Sequence, residues 1–356
     1  MKNIQNNSIY SNFFRNELFR WGELSVRGYK SNKFLFSNDK MWFAYSRQAL
    51  RTGMQMLGIE AKDSVLIPSY ICNVIESSFY PDNIAVIYYK VTEDLSPDFN
   101  DIKNKITKTT KALLFVNYFG YPAEILQLKE FCKEYNLFLI EDNAHGFLSK
   151  DAGNWLGSFG DISVTSIYKK LPVFHGAYLQ INCLTERGSE NNSSFYINKR
   201  FVKYFYNYFH VYFNRIIFNK KIEPGINWDN QPIYLPDPMM NVELHSFAVF
   251  QIGLLNYESI YQNKIKKYNV VMSFIEKELS SAGILLFEDL VPGALPLQVP
   301  FLVDLKNKEK MELFEYIRRK NIEIFRWPDL PDAVAGNLSE FPLSNYYQNN
   351  LFQFPI

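Results

Sequence analysis

Cysteine is scarce in this 356-residue chain: Cys72, Cys132 and Cys183 are the only three. Three scattered thiols are too few for a disulfide framework or a structural zinc site, and they fit a reducing compartment. Long apolar runs are missing as well. No stretch reaches the roughly 18 apolar residues that span a membrane, and the opening Met1–Tyr10 lacks a basic-then-apolar leader. A cytoplasmic location is therefore expected. Neither sign of charge is in excess. Lys and Arg total 38 against 37 Asp and Glu, a formal net charge of +1, which argues against a general nucleic-acid binder. No metal-ligand cluster is evident, and no repeat or low-complexity tract occurs. What is abundant is aromatic side chain, 17% of residues, and the length suffices for one large domain and a smaller one.

Short apolar runs alternate with helical stretches from about Trp42 onward. Ser46 to Leu57 reads as a helix, with Leu50, Met54 and Leu57 on one face and Gly58 as its stop. Strands are expected at Val65–Ile67, Ile84–Tyr89, Ala112–Val116, Leu137–Ile140, Ile162–Ser166 and Tyr178–Ile181. An amphipathic helix, Ala123 to Tyr135, lies between two of them, with Ile125, Leu128, Phe131, Cys132 and Tyr135 on its apolar face. Doubly apolar strands separated by amphipathic helices predict an α/β chain with a mostly parallel, doubly wound sheet. Such sheets bind ligands at the carboxyl ends of their strands. Further on, a long helix is expected from Val242 to about Leu279, then strand, helix and strand at Leu297–Val303, Lys308–Lys320 and Ile322–Phe325.

Two segments carry chemistry. In the first, the apolar run Leu137–Ile140 leads directly into Glu141-Asp142-Asn143-Ala144-His145. A carboxylate at the end of a central strand needs a cationic partner, because an unpaired buried charge is costly; a protonated pyridine nitrogen is one such partner. The alternative reading is an Asp that caps the next helix. In the second, a β-rich run ends in Ser166 and is followed by Lys169 and Lys170. A lysine just behind a strand can form a Schiff base; a solvated lysine pair is the alternative.

Taken together, these segments resemble the fold-type-I pyridoxal-phosphate enzymes, in particular the DegT/DnrJ/StrS-type sugar aminotransferase family. Five motifs occur in the family's order: Tyr45-Ser46-Arg47-Gln48-Ala49-Leu50 opening the first helix, Lys62 to Pro68 as the first strand, Val116-Asn117-Tyr118-Phe119-Gly120, Glu141 to His145, and Gly160-Asp161 ahead of Ser166 and the lysines. The form Ser-x-x-Lys-x-Leu-Pro matches one branch of the family. The likeness is good over about Trp42 to Tyr257 and moderate beyond.

The resemblance implies pyridoxal 5'-phosphate as cofactor, with Lys169 rather than Lys170 as the Schiff-base and proton-shuttling residue, Asp142 on the pyridinium nitrogen and His145 on the phenolic oxygen. Ser46, Arg47 and Gln48, opening a helix, and Ser166 would bind the phosphate. Asn241 would reach the partner's phosphate in a homodimer. Relatives place an aromatic ring over the cofactor where this chain has Cys72; Tyr70 supplying that ring, Cys72 packing against the cofactor, and both residues being ordinary core are the alternatives. Gly and Thr are usual where Ser46 and Arg47 stand. His175 is given no catalytic role because Lys169 is present. The implied reaction moves an amino group from glutamate or glutamine to a nucleotide-linked keto sugar for surface glycan synthesis. A sugar dehydration on the same cofactor, or a non-catalytic member of the family, are the alternatives.

The implied organisation is an N-terminal extension at 1–41, a large cofactor domain at 42–257 and a small C-terminal α/β domain at 258–356, shortened relative to the family. Residues 194–221 form an aromatic insertion in the large domain, with six Lys or Arg and no Asp or Glu. Three readings compete for it: a helix over the active site or dimer interface, an interfacial helix making peripheral contact with anionic lipid, and a stacking surface for single-stranded nucleic acid. The first needs nothing new.

Overall fold

The computed structural model describes residues 39–171, 173, 175–183, 251–288, 290–320 and 322–356. Asn241, the 194–221 segment and residues 1–38 fall outside the described residues.

The first half of the chain builds one seven-stranded sheet. Its strands are β1 (Lys40–Phe43), β2 (Ser64–Pro68), β3 (Ala85–Tyr89), β4 (Thr110–Val116), β5 (Phe138–Asp142), β8 (Ile162–Ser166) and β9 (Ala177–Ile181), in the order β1-β9-β8-β5-β4-β2-β3. The pairs from β3 through β2, β4 and β5 to β8 are parallel, whereas β8–β9 and β1–β9 are antiparallel. The sheet is thus mostly parallel and the fold α/β. Every residue of β2 and β8 is buried, as both faces of an interior strand of a doubly wound sheet are covered.

Helices connect the strands: α1 (Ser46–Met56), α2 (Phe99–Lys105) and α3 (Ile125–Glu134). In α1, Ala49, Leu50, Gly53 and Met54 are buried, the three-and-four spacing of an apolar stripe. Asp98 caps α2, its carboxylate accepting from the backbone N–H groups of Asn100 and Asp101. A two-residue hairpin, β6 (Lys150–Asp151) with β7 (Asn154–Trp155), follows β5.

The C-terminal part forms a four-stranded antiparallel sheet in the order β10-β11-β13-β12. Its strands are β10 (Gly283–Leu285), β11 (Gln298–Val303), β12 (Phe325–Arg326) and β13 (Leu351–Pro355). Helices α4 (Tyr257–Phe274), α5 (Asn307–Arg319), α6 (Asp332–Ala335) and α7 (Pro342–Asn350) accompany it. The two-residue period of its strands divides their side chains. Val299, Phe301, Val303, Phe352 and Phe354 cluster with Tyr268 and Ile317 of α4 and α5, while Leu302 and Leu351 join the core of the large sheet. Trp327, Leu330, Val334, Phe341 and Tyr347 pack into that same large core. The C-terminal residues thus form one wall of the structure around the large sheet.

Three expectations are corrected. The helix expected through Leu279 does not run unbroken from Val242: residues 251–254 are helical, Leu255 and Asn256 are not, and Asn256 caps α4 by accepting from Ser259 N–H at 3.1 Å. The helix restarts because an Asn at its amino end satisfies an otherwise open N–H. The strand expected at Ile322–Phe325 is only Phe325–Arg326. Lys40 and Met41, assigned to the extension, belong to β1, which pairs with β9 from Lys40↔Gln180 to Phe43↔Ala177; the large unit begins there. Among the described residues no helix is long and apolar enough to cross a membrane.

Candidate active site

The carboxyl ends of β4, β5 and β8 converge on one place. Asp142 ends β5, paired with Val116 of β4 and Val164 of β8. Its Oδ1 accepts the Ala144 backbone N–H at 3.0 Å. Burial pushes the Asp142 carboxyl above its ordinary range, and the ammonium of Lys169 pulls it back. The same ammonium acts on His145 and on the Cys72 thiol. Lys169, Asp142, His145 and Cys72 are therefore neighbours.

The two adjacent lysines are placed very differently. Ser166 ends β8, a single tight turn spans Ile167–Lys169, and the Lys170 N–H closes it on the Ile167 carbonyl at 3.0 Å. Lys169 is exposed, whereas Lys170 is wholly buried. Lys170 Nζ donates to the carbonyls of Phe147, at 2.8 Å, and Leu295. Burial holds its pKa well below the usual lysine range. Lys169 is the lysine whose charge acts on Asp142, while Lys170 stitches the loop after His145 to the segment entering β11.

His145 is held by the main chain. Its Nδ1 accepts the Phe119 backbone N–H at 3.2 Å. Burial, with the charges of Lys169 and Lys170 behind it, depresses the imidazole pKa well below its ordinary value, so the ring is neutral. The Trp327 ring meets it edge to face at 5.7 Å.

The amino end of α1 supplies the next wall. Gln48 Oε1 accepts the Tyr45 backbone N–H at 3.0 Å, so this side chain closes the helix start. The Arg47 guanidinium lies over the Tyr45 ring at 5.1 Å, and its charge, like that of Lys169, acts on Cys72. Burial nevertheless raises the Cys72 thiol overall. Ser46 is the first residue of the helix, where N–H groups point outward. Ser166 is buried, and among the described residues its hydroxyl has no hydrogen-bond partner. Tyr70, expected as a ring over a cofactor, is not brought into the cleft. It is wholly buried, stacked on Trp327 at 4.7 Å and flanked by Tyr118 and Tyr347. Tyr70 supports the site from behind, and Cys72 is the residue of the two that lies beside Lys169.

Beneath Asp142 is a buried network that sequence reasoning did not find. Asn117 Nδ2 donates to Glu141 Oε1 at 2.8 Å and to Asn143 Oδ1 at 3.0 Å. Glu141 also accepts N–H bonds from Gly157, Phe159 and Gly160. Asn143 Nδ2 donates to the Leu156 carbonyl and to Thr165 Oγ1. Glu141 is thus a fully bonded structural carboxylate, its pKa raised by burial against four opposing hydrogen bonds. The available signal was a polar residue, Asn117, directly after the buried strand β4. Trp327 left no such signal, because its role depends on a contact across nearly two hundred residues.

A model of the DegT/DnrJ/EryC1/StrS aminotransferase family matches residues 44–177, the stretch that holds Asp142, His145 and both lysines. A GDP-perosamine synthase of Escherichia coli O157:H7 is 37% identical over 122 residues, 34% of this chain and 33% of that protein; a second GDP-perosamine synthase, from Vibrio cholerae, is 30% identical over 129 residues, 36% of this chain and 35% of that one. The chain therefore matches only about a third of the length of these curated relatives. A dTDP-4-amino-4,6-dideoxy-D-glucose transaminase of Shigella dysenteriae is 25% identical over 305 residues, 81% of this chain and 71% of that one. Among solved structures, the aminotransferase TlmJ of Streptoalloteichus hindustanus superposes with a TM-score of 0.63 at 14% identity, covering 93% of this chain and 84% of that one. This likeness shows a shared fold. By sequence, residues 44–177 are similar to the DegT/DnrJ/EryC1/StrS aminotransferase family domain.

Proposed function

We propose that this chain is a pyridoxal-phosphate-dependent aminotransferase that transfers an amino group from glutamate or glutamine to a nucleotide-linked keto sugar, for surface glycan synthesis. The observation that carries the reading is the meeting of Lys169, Asp142 and His145 at the carboxyl ends of parallel strands. The related proteins named as a perosamine synthase and a sugar transaminase support the substrate class.

The residues fit such a cofactor. Ser166 offers a buried hydroxyl with no partner among the described residues. Arg47 adds positive charge beside the amino end of α1, a favourable place for a phosphate. Asp142 is a half-buried carboxylate whose only side-chain hydrogen bond among the described residues comes from Ala144, which leaves it to pair with a protonated ring nitrogen. When bound, pyridoxal phosphate supplies an electrophilic carbon and a ring that accepts electron density from the substrate carbon.

The chain's own groups then divide the work. Asp142 keeps positive charge on the ring nitrogen, because a second buried charge is favourable only when paired. Lys169, exposed beside Asp142, would take the proton from the donor's α-carbon onto its Nζ and so act as the general base. His145, neutral and with Nδ1 occupied, presents its other nitrogen as a hydrogen-bond donor. Ser166, Arg47 and the start of α1 hold the anionic end and fix the register of the ring.

The test is an absorption spectrum of the full chain with added pyridoxal phosphate, beside Lys169→Ala. A band near roughly 420 nm that depends on Lys169 and moves to roughly 330 nm with glutamate is expected. No Lys169-dependent band at saturating cofactor would remove the reading. A nucleotide sugar turned over without consumption of an amino donor would instead favour dehydration. The expected assembly is a cytoplasmic homodimer, checked by sedimentation.

A further inference from the structure

The Phe119 peptide occupies an unusual position. Phe119 adopts a left-handed conformation, φ 56° and ψ 8°, which is unfavourable for a non-glycine residue. Its N–H donates to His145 Nδ1 at 3.2 Å. Its carbonyl accepts the N–H of Leu297, the residue entering β11, at 2.6 Å. The next carbonyl, Gly120, accepts Ser149 Oγ at 2.7 Å, and that oxygen accepts the Leu295 N–H at 2.6 Å. Two successive peptides are thereby pinned from the C-terminal side of the chain. The Phe119 ring is wholly buried and meets Trp327 edge to face at 5.5 Å.

A backbone N–H can only donate, so the Nδ1 it meets must be an acceptor. In a neutral imidazole the proton is then on Nε2. Among the described residues nothing accepts from Nε2.

We infer that Phe119 is a positioning residue: its left-handed peptide, held by Leu297 from the C-terminal sheet, fixes His145 in the Nε2–H tautomer and aims that donor into the site. The C-terminal unit thus sets a proton position in a site built almost wholly from the large sheet. Service of that donor to the cofactor's ring oxygen rests on the function proposed above; the tautomer itself does not.

The Phe119 backbone, rather than its ring, is the agent. Glycine adopts a left-handed conformation freely, whereas a β-branched residue does so very poorly. Phe119→Gly should therefore keep the tautomer although it loses the ring. Phe119→Val should lose it although it retains more apolar volume.

The measurement is nitrogen NMR of the full chain with isotope-labelled histidine, without added cofactor. His145→Gln identifies the His145 signals among the four histidines. The expected spectrum of the unaltered chain has a pyridine-like Nδ1 and a protonated Nε2, preserved in Phe119→Gly and replaced by mixed tautomers in Phe119→Val. An Nδ1–H form in the unaltered chain would overturn the inference. Loss of the tautomer in Phe119→Gly would also overturn it, since the ring would then be responsible. The absorption band reads the other reading separately: a correct tautomer with no band keeps this inference and removes the function, and a band with the wrong tautomer does the reverse.

Discussion

The Asn117 amide bridges Glu141 and Asn143, the two residues on either side of Asp142, at 2.8 and 3.0 Å. All four groups that bond Glu141 are donors: this amide and the N–H groups of Gly157, Phe159 and Gly160. Glu141→Gln replaces one acceptor oxygen by a second set of donors facing donors. A buried group left unsatisfied costs about 1–3 kcal/mol, more where a charge-assisted bond is lost. Glu141→Gln should therefore destabilise the chain by about 2–3 kcal/mol in urea unfolding, despite its nearly identical shape. Equal midpoints for the two proteins would mean that the carboxylate is not carrying this loop.

The neighbouring lysines predict opposite phenotypes. Lys169 is exposed beside Asp142, while Lys170 is buried on two carbonyls. Lys169→Ala should abolish the cofactor band and change stability by no more than about 0.5 kcal/mol, as an exposed substitution does. Lys170→Ala should keep the band and lose about 2 kcal/mol or more, through a cavity and the loss of its hydrogen bonds to the Phe147 and Leu295 carbonyls. Absorbance and urea melts on the same two variants settle it. The reverse pattern would exchange the two roles.

Gly120 permits the close approach on which the site depends. Its φ is +87°, and a Cβ there would lie 2.7 Å from the His145 carbonyl and 3.0 Å from that of Leu295. Both obstacles are backbone, so they cannot swing away. Gly120→Ala should cost about 2 kcal/mol or more through strain and forced displacement, and weaken cofactor binding because the His145 loop must move. An unchanged melting temperature together with unchanged cofactor affinity would show that the two segments can part without cost.

Local pattern made much of this legible before any coordinates. Apolar runs mark β2, β4 and most of β5 as buried strands, and Lys169, Asp142 and His145 lie at or just past the ends of β5 and β8. What remained hidden depends on distance along the chain. β1 has only four residues and gains its identity from pairing with β9. Tyr70 has the composition of a cofactor platform, yet its ring is covered by Trp327, which no local rule could place there. The break before α4 was readable in principle from Asn256, a good cap followed by Tyr257-Glu258-Ser259. The left-handed Phe119 was not, because a bulky residue takes that conformation only when its surroundings impose it.

His145 also gives the chain a pH dependence of defined sign. Burial, then the charges of Lys169 and Lys170, depress its folded pKa below the ordinary imidazole value of 6.5. A depressed pKa means that the unfolded chain binds the proton more readily. The stability contribution is thus fully present above pH 6.5 and is lost as pH falls through the folded value. A gap of one pH unit between folded and unfolded titrations is worth about 1.4 kcal/mol. His175 is also buried, so the unaltered chain alone cannot isolate the effect. The measurement is the urea midpoint between pH 7.5 and about pH 5 for the unaltered chain and His145→Gln. Glutamine can accept the Phe119 N–H through its oxygen but does not titrate. The two curves should run parallel above neutrality and diverge below, with the unaltered chain losing about 1 kcal/mol or more relative to the variant. Parallel curves throughout would mean that the His145 imidazole charges as readily in the folded chain as in water, and the neutral donor assigned to this site would be gone.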